Sequence, residues 1–126
     1  MDVRHQKRTA VIQELYAHSF FPDKVDDHYS FQTKEIIRNT DKLNDEIQKF
    51  ASKFPVAKIA KVDLAILQLS VYELIIEKRE PPKVIINEAV ELAKELGSDR
   101  SFAFINAILG KIYTSMQTNE KQISGS

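Results

Sequence analysis

The sequence predicts an all-α protein, a compact bundle of five to seven helices. Only three glycines occur in 126 residues, and apolar side chains recur at intervals of three and four residues, which is the period of a helix buried on one face. Between Val62 and Ile76 only Asp63 and Glu73 are charged. Because a helix that is apolar nearly all round is usually covered by its neighbours, we expect this segment to lie at the centre of the bundle.

Prolines and a glycine set the predicted boundaries of the helices. Proline fits the first turn of a helix but not its interior, and glycine suits a helix C-terminus. Pro55, the Pro81-Pro82 pair and Gly97 therefore mark boundaries. The predicted order is a first helix from Val3 to Ser19, a long helix or broken pair from Ile36 to Phe54, a central helix from about Lys58 to Arg79, a helix from Pro82 to Gly97, and a last helix capped by Ser98 or Ser101.

The last helix is predicted to end near residue 117. Its apolar stripe runs through Phe102, Ile105, Leu109, Ile112 and Met116. Residues 118–126 are polar apart from one isoleucine, a composition that favours disorder. We therefore expect one helical domain over residues 1–117 and a disordered tail over 118–126.

Composition restricts the classes of function. Lys+Arg and Asp+Glu both total 18, so the net charge is zero, whereas nucleic-acid-binding domains are more often basic. Any RNA site must therefore be a local patch. The chain has no cysteine, which agrees with a reducing cytoplasm. We also expect no membrane span, because no apolar run reaches the necessary length.

Catalytic and metal-binding patterns are missing from the sequence. The three histidines, His5, His18 and His28, lie in the first third of the chain without a second ligand at helical spacing. Neither a phosphate-binding glycine loop nor a nucleophile motif is present. We expect a protein that is not an enzyme and that needs neither a metal nor another cofactor.

The first helix begins with a basic cluster. Arg4, Lys7 and Arg8 share one helical face, and Val11 and Leu15 continue that face towards the core. Since arginine is rarely buried, the first two turns are expected to overhang the bundle. Guanidinium and ammonium groups on such an arm suit phosphate contact, although a solvated helix start is the commoner explanation of the pattern.

Two aromatic and four polar residues complete the set of candidates. Tyr16 and Phe104 are candidate stacking platforms for RNA bases, although core packing is the commoner fate of an aromatic ring. Asp63 suits the positive end of the central helix dipole, and Glu73 requires a partner if it is buried. For Asn87 and Asn106 a buried hydrogen bond is favoured.

Four segments together resemble the NusB family of bacterial transcription antitermination factors. They occur in the family's order over most of the chain: Arg8-Thr9-Ala10-Val11-Ile12-Gln13-Glu14-Leu15-Tyr16, Lys61 to Leu74, Pro82 to Lys94, and Ser101-Phe102-Ala103-Phe104-Ile105-Asn106-Ala107-Ile108-Leu109. The third segment is the strongest part of the match.

The resemblance implies a helical fold of two packed sub-bundles and a role in antitermination. It implies binding to single-stranded boxA-like RNA together with the ribosomal protein NusE, and action on the RNA polymerase elongation complex. On this chain the family's basic arm corresponds to Arg4, Lys7 and Arg8, and its aromatics on the RNA side correspond to Tyr16 and Phe104. The position facing NusE corresponds to Asp63, and Glu73 is the second candidate for the protein partner.

The chain differs from the family pattern at several positions, so it is a divergent member. Phe54 and Lys58 stand where the family usually has Trp and Arg, and Gly110 stands in place of the usual Asp. Two alternative functions therefore stay open. One is a helical protein-binding module, or a homodimer, that has lost RNA binding. The other is a stand-alone relative of the RNA-binding domain of RNA cytosine methyltransferases.

Overall fold

The computed structural model describes residues 2–124, with side chains to residue 119, and these residues form six α-helices and no strand. This confirms the all-α class and the expected number of helices. The helices are α1 (Val3–His18), α2 (Phe31–Arg38), α3 (Thr40–Phe50), α4 (Lys61–Tyr72), α5 (Pro82–Leu96) and α6 (Ser101–Ser124). A 3₁₀ turn, Val56–Lys58, precedes α4, and a π-helical turn, Glu73–Glu77, follows it.

Helix α4 is the centre of the bundle, as its apolar sequence predicts. It contacts α1, α2, α3, α5 and α6. Ile66, Leu67 and Val71 are completely excluded from solvent. Since every other helix packs against α4, its position determines where the surface groups of all the others lie.

The central helix ends earlier than the sequence predicts, because its backbone changes at Glu73. The π-helical turn from Glu73 to Glu77 closes on Lys78, whose φ of 54° is left-handed and whose N–H donates to the Glu73 carbonyl at 2.9 Å. Short π-helical segments occur often at functional positions. Here the turn starts at the one acidic side chain of the buried segment that faces α1.

Helix α2 is positioned by a side chain of α1. Ser30 caps α2 by accepting a hydrogen bond from the Thr33 N–H at 3.3 Å, the usual role of serine at this position. The Glu14 carboxylate of α1 accepts from the Thr33 hydroxyl at 2.6 Å and from the Ser30 hydroxyl at 3.1 Å. These bonds fix the start of α2 against α1 across the intervening loop.

Helix α6 differs from its prediction at both ends. Phe102 was placed on the buried stripe, but it is 42% exposed, and the Lys94 ammonium lies 5.6 Å from its ring centroid. Ser101 is buried instead, and its hydroxyl accepts from the Ser98 N–H at 2.8 Å. At the other end, the helix extends to Ser124, beyond the predicted end near residue 117, and residues 125–126 of the predicted tail lie outside the described part.

None of the helices formed by residues 2–124 is long and apolar enough to cross a membrane.

Removing a buried aliphatic side chain from α4 tests this packing. Ile66→Ala or Leu69→Ala should lower the free energy of unfolding by about 2–5 kcal/mol, because each leaves a cavity that the neighbouring helices fill only in part. Urea denaturation monitored by circular dichroism measures the change. Val84→Ala, on the exposed side of α5, is the control and should stay within about 0.5 kcal/mol. Midpoints equal to wild type for both core variants would contradict the assigned core.

Candidate nucleic-acid interface

A buried ion pair joins α1 to the end of α4. The Arg8 Nε lies 3.0 Å from Glu73 Oε2, and its Nη2 lies 2.7 Å from Glu73 Oε1. The side chains of Arg8 and Glu73 are only 8% and 7% exposed. Arg8 Nη2 also donates to Glu80, which follows the π-helical turn. Such paired, planar contacts are the strongest kind that arginine makes with carboxylates.

Burial and pairing act against each other on these two groups. Burial lowers the pKa of the Arg8 guanidinium, but the hydrogen bonds and charges of Glu73 and Glu80 more than offset this, so that its pKa is raised. Burial raises the pKa of the Glu73 carboxyl, and the bonds from Arg8 oppose that effect. The two-bond geometry requires an ionised carboxylate, so we assign the pair as charged at neutral pH.

The structure corrects two site predictions at this point. Arg8 was expected to contact RNA and Glu73 a protein partner, yet both side chains are buried and contact each other. The first two turns of α1 do not overhang, because an arginine can enter a protein interior when a carboxylate meets it there. The sequence carried one signal for this arrangement, since Glu73 in an apolar helix required a partner.

Arg4 and Lys7 lie on the outside of the same two turns. The Arg4 side chain is 74% exposed and its Nη1 lies 3.0 Å from Glu80 Oε1. Lys7 is exposed as well, and no acceptor within the described residues holds its ammonium group. Both cations are therefore placed at the surface by a helix that Arg8 anchors, and both are accessible to a phosphate group.

A second group of candidates lies around Phe104 on α6. The Phe104 ring is partly buried and meets Phe54 edge to face, with 5.6 Å between the ring centroids. Phe54 itself is 46% exposed. The pair therefore presents one protected and one open aromatic ring, and stacking on such rings is how proteins commonly hold unpaired bases.

The loop that carries Phe54 is fixed by the Gln48 side chain. The Gln48 amide donates to the Phe54 carbonyl at 3.0 Å and its oxygen accepts from the Val56 N–H at 2.9 Å. Ser52 takes a left-handed backbone conformation, with φ of 57°, which turns the chain after α3. These contacts hold the exposed ring at a defined position instead of on a free loop.

An open, mainly apolar groove runs along α6. It is lined by Phe50 of α3 and by five residues of α6: Asn106, Ala107, Gly110, Lys111 and Thr114. Gly110 contributes to its width, since a Cβ there would meet nothing within 4 Å. Asn106 and Lys111 are both exposed, so the groove has an amide that can bond a base edge and an ammonium that can meet a phosphate.

Two outcomes in this region differ from the sequence prediction. Asn106 and Asn87 were expected to make buried hydrogen bonds, but both side chains are exposed. Phe54 and Lys111 were not recognised as site residues. Helical spacing shows which residues share one face of a single helix, but not that the loop after α3 lies next to α6. The sequence therefore contained no signal that could have identified Phe54 and Lys111.

Tyr16 lies at the C-terminal end of α1, near the start of α4. It is 40% exposed and meets Phe20 edge to face at a centroid distance of 5.1 Å. The Lys61 ammonium lies 5.0 Å from the Phe20 ring centroid and 3.3 Å from the Ser19 carbonyl. The predicted stacking residue is therefore available, with a second exposed ring and a cation beside it.

Arg8 and Lys61 are bound at opposite ends of α4, so the basic arm and Tyr16 lie far apart. Arg8 contacts Glu73, which follows the last residue of α4, whereas Lys61 is the first residue of α4. The twelve residues of α4 correspond to about 18 Å of helix axis. A ligand that contacts both the arm and Tyr16 must therefore be extended.

Asp63 lies in the first turn of α4, with 9% of its surface exposed. The Asp63 side chain makes no hydrogen bond or ion pair with any of residues 2–119. Within those residues, every completely buried side-chain oxygen or nitrogen atom has a hydrogen-bond partner. The carboxylate oxygens of Asp63 therefore reach the surface while its stem is buried. The position favours a negative charge because of the helix dipole, and the free oxygens remain available to an outside partner.

Residues 2–119 contain no group of His, Cys, Asp or Glu side chains arranged to hold a metal ion.

Breaking the ion pair from one side should destabilise the fold strongly. Arg8→Met leaves Glu73 buried without a cation, which typically costs about 3–5 kcal/mol. The double variant Arg8→Met/Glu73→Leu should recover most of that loss, since an apolar pair of similar volume can replace buried charges. Urea denaturation of the single and double variants completes the cycle. Losses that simply add in the double variant would contradict a direct pairing.

Comparisons with known proteins agree with the fold and the motifs. The NusB family model matches residues 2–114. A transcription antitermination protein NusB from Clostridium tetani is 45% identical over 95 residues, which is 75% of this chain and 62% of that protein. The NusB protein of Campylobacter concisus is 36% identical over 89% of this chain and 97% of its own length. The chain thus spans less than two thirds of some curated relatives and nearly all of another.

Solved structures show the same architecture. The structure of T. maritima NusB has a TM-score of 0.74, with 33% identity over 88% of this chain and 90% of that one. A structure described as antitermination factors NusB and NusE in complex with dsRNA has a TM-score of 0.72 and 22% identity, over 90% of this chain and 99% of that one, which supports the fold alone. The relatives are named as antitermination proteins and not as enzymes, in agreement with the sequence prediction, and this chain belongs to the NusB family.

Proposed function

We propose that this chain is an RNA-binding transcription antitermination factor. It binds single-stranded boxA-like RNA together with the ribosomal protein NusE and acts on transcribing RNA polymerase in the cytoplasm. The observation that carries the proposal is the division of the surface into exposed cations at one end of α4 and exposed aromatic rings at the other. Family membership supports it, and a structure of the same fold is described as NusB and NusE in complex with dsRNA.

The chemistry of the surface matches an extended strand better than a duplex. Arg4 and Lys7 are exposed cations suited to phosphate groups, whereas Tyr16 and Phe54 present open rings suited to unpaired bases. The rings of a protein cannot stack on bases that are already stacked within a helix. Because the two regions lie about 18 Å apart along α4, an extended strand reaches both and a compact ligand does not.

The groove on α6 adds the contacts that distinguish bases. Phe50 lines it from α3, the Asn106 amide can donate to and accept from a base edge, and Lys111 can hold the adjoining phosphate. Arg8 takes a different role from the one predicted for it. It positions the arm from inside the bundle and does not itself contact the ligand.

Charge reversal of the two exposed cations tests the RNA site. Arg4→Glu/Lys7→Glu should weaken binding to a single-stranded boxA-like RNA. It should also make the negative slope of log K against log salt shallower by about 1.4, since each phosphate contact contributes about 0.7 for single strands. Fluorescence anisotropy titrations at several salt concentrations measure both quantities. The fold should persist, because both side chains are at the surface.

The matched control is Arg38→Glu/Lys42→Glu, which reverses two exposed cations on α2 and α3. It changes the net charge equally, so it should leave the slope nearly unchanged if binding is local. A scrambled single strand and a duplex of the same sequence complete the comparison. Equal effects of the two double variants, or wild-type binding that does not depend on salt, would favour the alternative of a module that binds protein alone.

Asp63 is the proposed contact for NusE. Asp63→Asn removes the charge at constant volume, and Asp63→Lys reverses it. Both should weaken NusE binding, because a carboxylate facing a basic ribosomal protein contributes to association rate and specificity. Stability should change by less than about 1 kcal/mol in the Asn variant, the size of a helix-dipole contribution.

Isothermal titration calorimetry with NusE and a thermal melt of each Asp63 variant separate the two effects. RNA binding by the variant alone should be retained, whereas any gain in RNA affinity conferred by NusE should be lost. Full NusE affinity in a folded Asp63→Lys protein would show that the carboxylate serves only the helix dipole.

A further inference from the structure

The first turn of α1 is attached to α5 by a histidine between two carboxylates. His5 Nδ1 lies 3.2 Å from Glu88 Oε2, and His5 Nε2 lies 2.8 Å from Glu95 Oε2. Glu88 and Glu95 are seven residues apart, so they lie two turns apart on the same face of α5. The His5 side chain is 25% exposed, which leaves the ring accessible to protons from solvent.

Both contacts can be hydrogen bonds only when the ring is charged. An ionised carboxylate accepts hydrogen bonds and cannot donate them, and a neutral imidazole has a single N–H. A ring that donates to Glu88 and to Glu95 at once must therefore be an imidazolium. If the ring loses one proton, one nitrogen lone pair faces a carboxylate oxygen, which is repulsive.

The charges near His5 also favour the imidazolium form of its ring. Arg4 and Arg8 of α1 face Glu80 and Glu73, and Arg8 Nη1 lies 3.9 Å from Glu88 Oε2. On α5 the neighbouring Glu91 is already paired with Lys94 at 3.5 Å. Glu88 and Glu95 are thus the two carboxylates that contact His5, whereas Glu73 and Glu80 are paired with the two arginines. The hydrogen bonds that the ring donates to Glu88 and, with smaller effect, to Glu95 raise the pKa of His5.

Few apolar contacts hold this turn in place. The first buried apolar side chain of α1 is Val11, and Val3, Lys7 and Ala10 are exposed. Between residues 2 and 10 only Arg8 is buried. The attachment of the first turn therefore depends on polar contacts, of which the His5 bridge is the one that titrates near neutral pH.

We propose that His5 is a proton-operated latch: as the imidazolium it bridges Glu88 and Glu95 and holds the first turn of α1 on α5, and loss of one proton releases that turn. The turn carries Arg4 and adjoins Lys7, so the latch also sets how firmly the two exposed cations are positioned. The inference concerns the protein by itself and does not depend on the proposed RNA function.

The direction of the pH dependence follows from the sign of the shift. A histidine whose pKa is raised by folding stabilises the docked turn fully below its unfolded value of 6.5, and this stabilisation is lost as the pH rises through the folded value. The turn should thus be docked in mildly acidic solution and become mobile at higher pH. The rest of α1 should not respond, because Val11, Ile12 and Leu15 are buried.

Nuclear magnetic resonance of the labelled protein between pH 5 and 9 tests the latch. Imidazole ¹⁵N shifts report the protonation of each histidine, and ¹³Cα shifts report the helicity of residues 3–8. His5 should titrate above pH 6.5. The helicity of the first turn, residues 3–6, should fall with the same midpoint as the His5 titration.

Three variants make the test specific. His5→Gln should abolish the pH dependence of the first turn, and Glu95→Gln should move the His5 midpoint towards the ordinary value. His28→Gln is the matched control and should leave both curves unchanged. A His5 midpoint at or below 6.5, a first turn that stays helical after His5 has titrated, or an unaltered pH dependence in His5→Gln would each overturn the proposal.

Discussion

One buried arginine decides how the first helix sits on the rest of the bundle. A charge removed from water without a partner costs several kcal/mol, and the two parallel bonds from Arg8 to Glu73 satisfy it only in one geometry. Sliding α1 by one turn along α4, about 5.4 Å, would separate both bonds and leave two buried charges. The pair therefore fixes the register of α1 more strictly than the apolar contacts of Val11 and Leu15 do.

The same interaction explains why the basic cluster divides into two roles. Three basic residues share a face, but only one of them can be directed into the bundle. With Arg8 buried between Glu73 and Glu80, the rotation of α1 is set, and Arg4 and Lys7 are left at the surface. The π-helical turn contributes by ending the regular helix at Glu73, so that the chain turns back and brings Glu80 to the same guanidinium.

The candidate interface combines groups from distant parts of the chain on a firm support. Phe54 is held by Gln48, Phe104 by α6 and Tyr16 by α1, and each of these elements packs on α4 or beside it. A protein with zero net charge cannot rely on a broad positive field to attract RNA. Under the proposed function, exposed cations and exposed rings would supply the attraction instead, so we expect the affinity to depend on a few specific contacts.

The sequence by itself determined the helical class, the central position of α4 and the family, because apolar spacing and motifs are local in the chain. It also named Arg4, Lys7 and Tyr16 as candidates, and all three are exposed in the structure. The burial of Arg8 and Glu73, the exposure of Asn106 and Phe102, and the pairing of Phe54 with Phe104 were decided only by the tertiary structure. Each depends on a partner that is distant in sequence, such as the 65 positions between Arg8 and Glu73. Helical periodicity shows which face a residue occupies, but whether a charge on that face is buried or solvated depends on what the folded chain places opposite it.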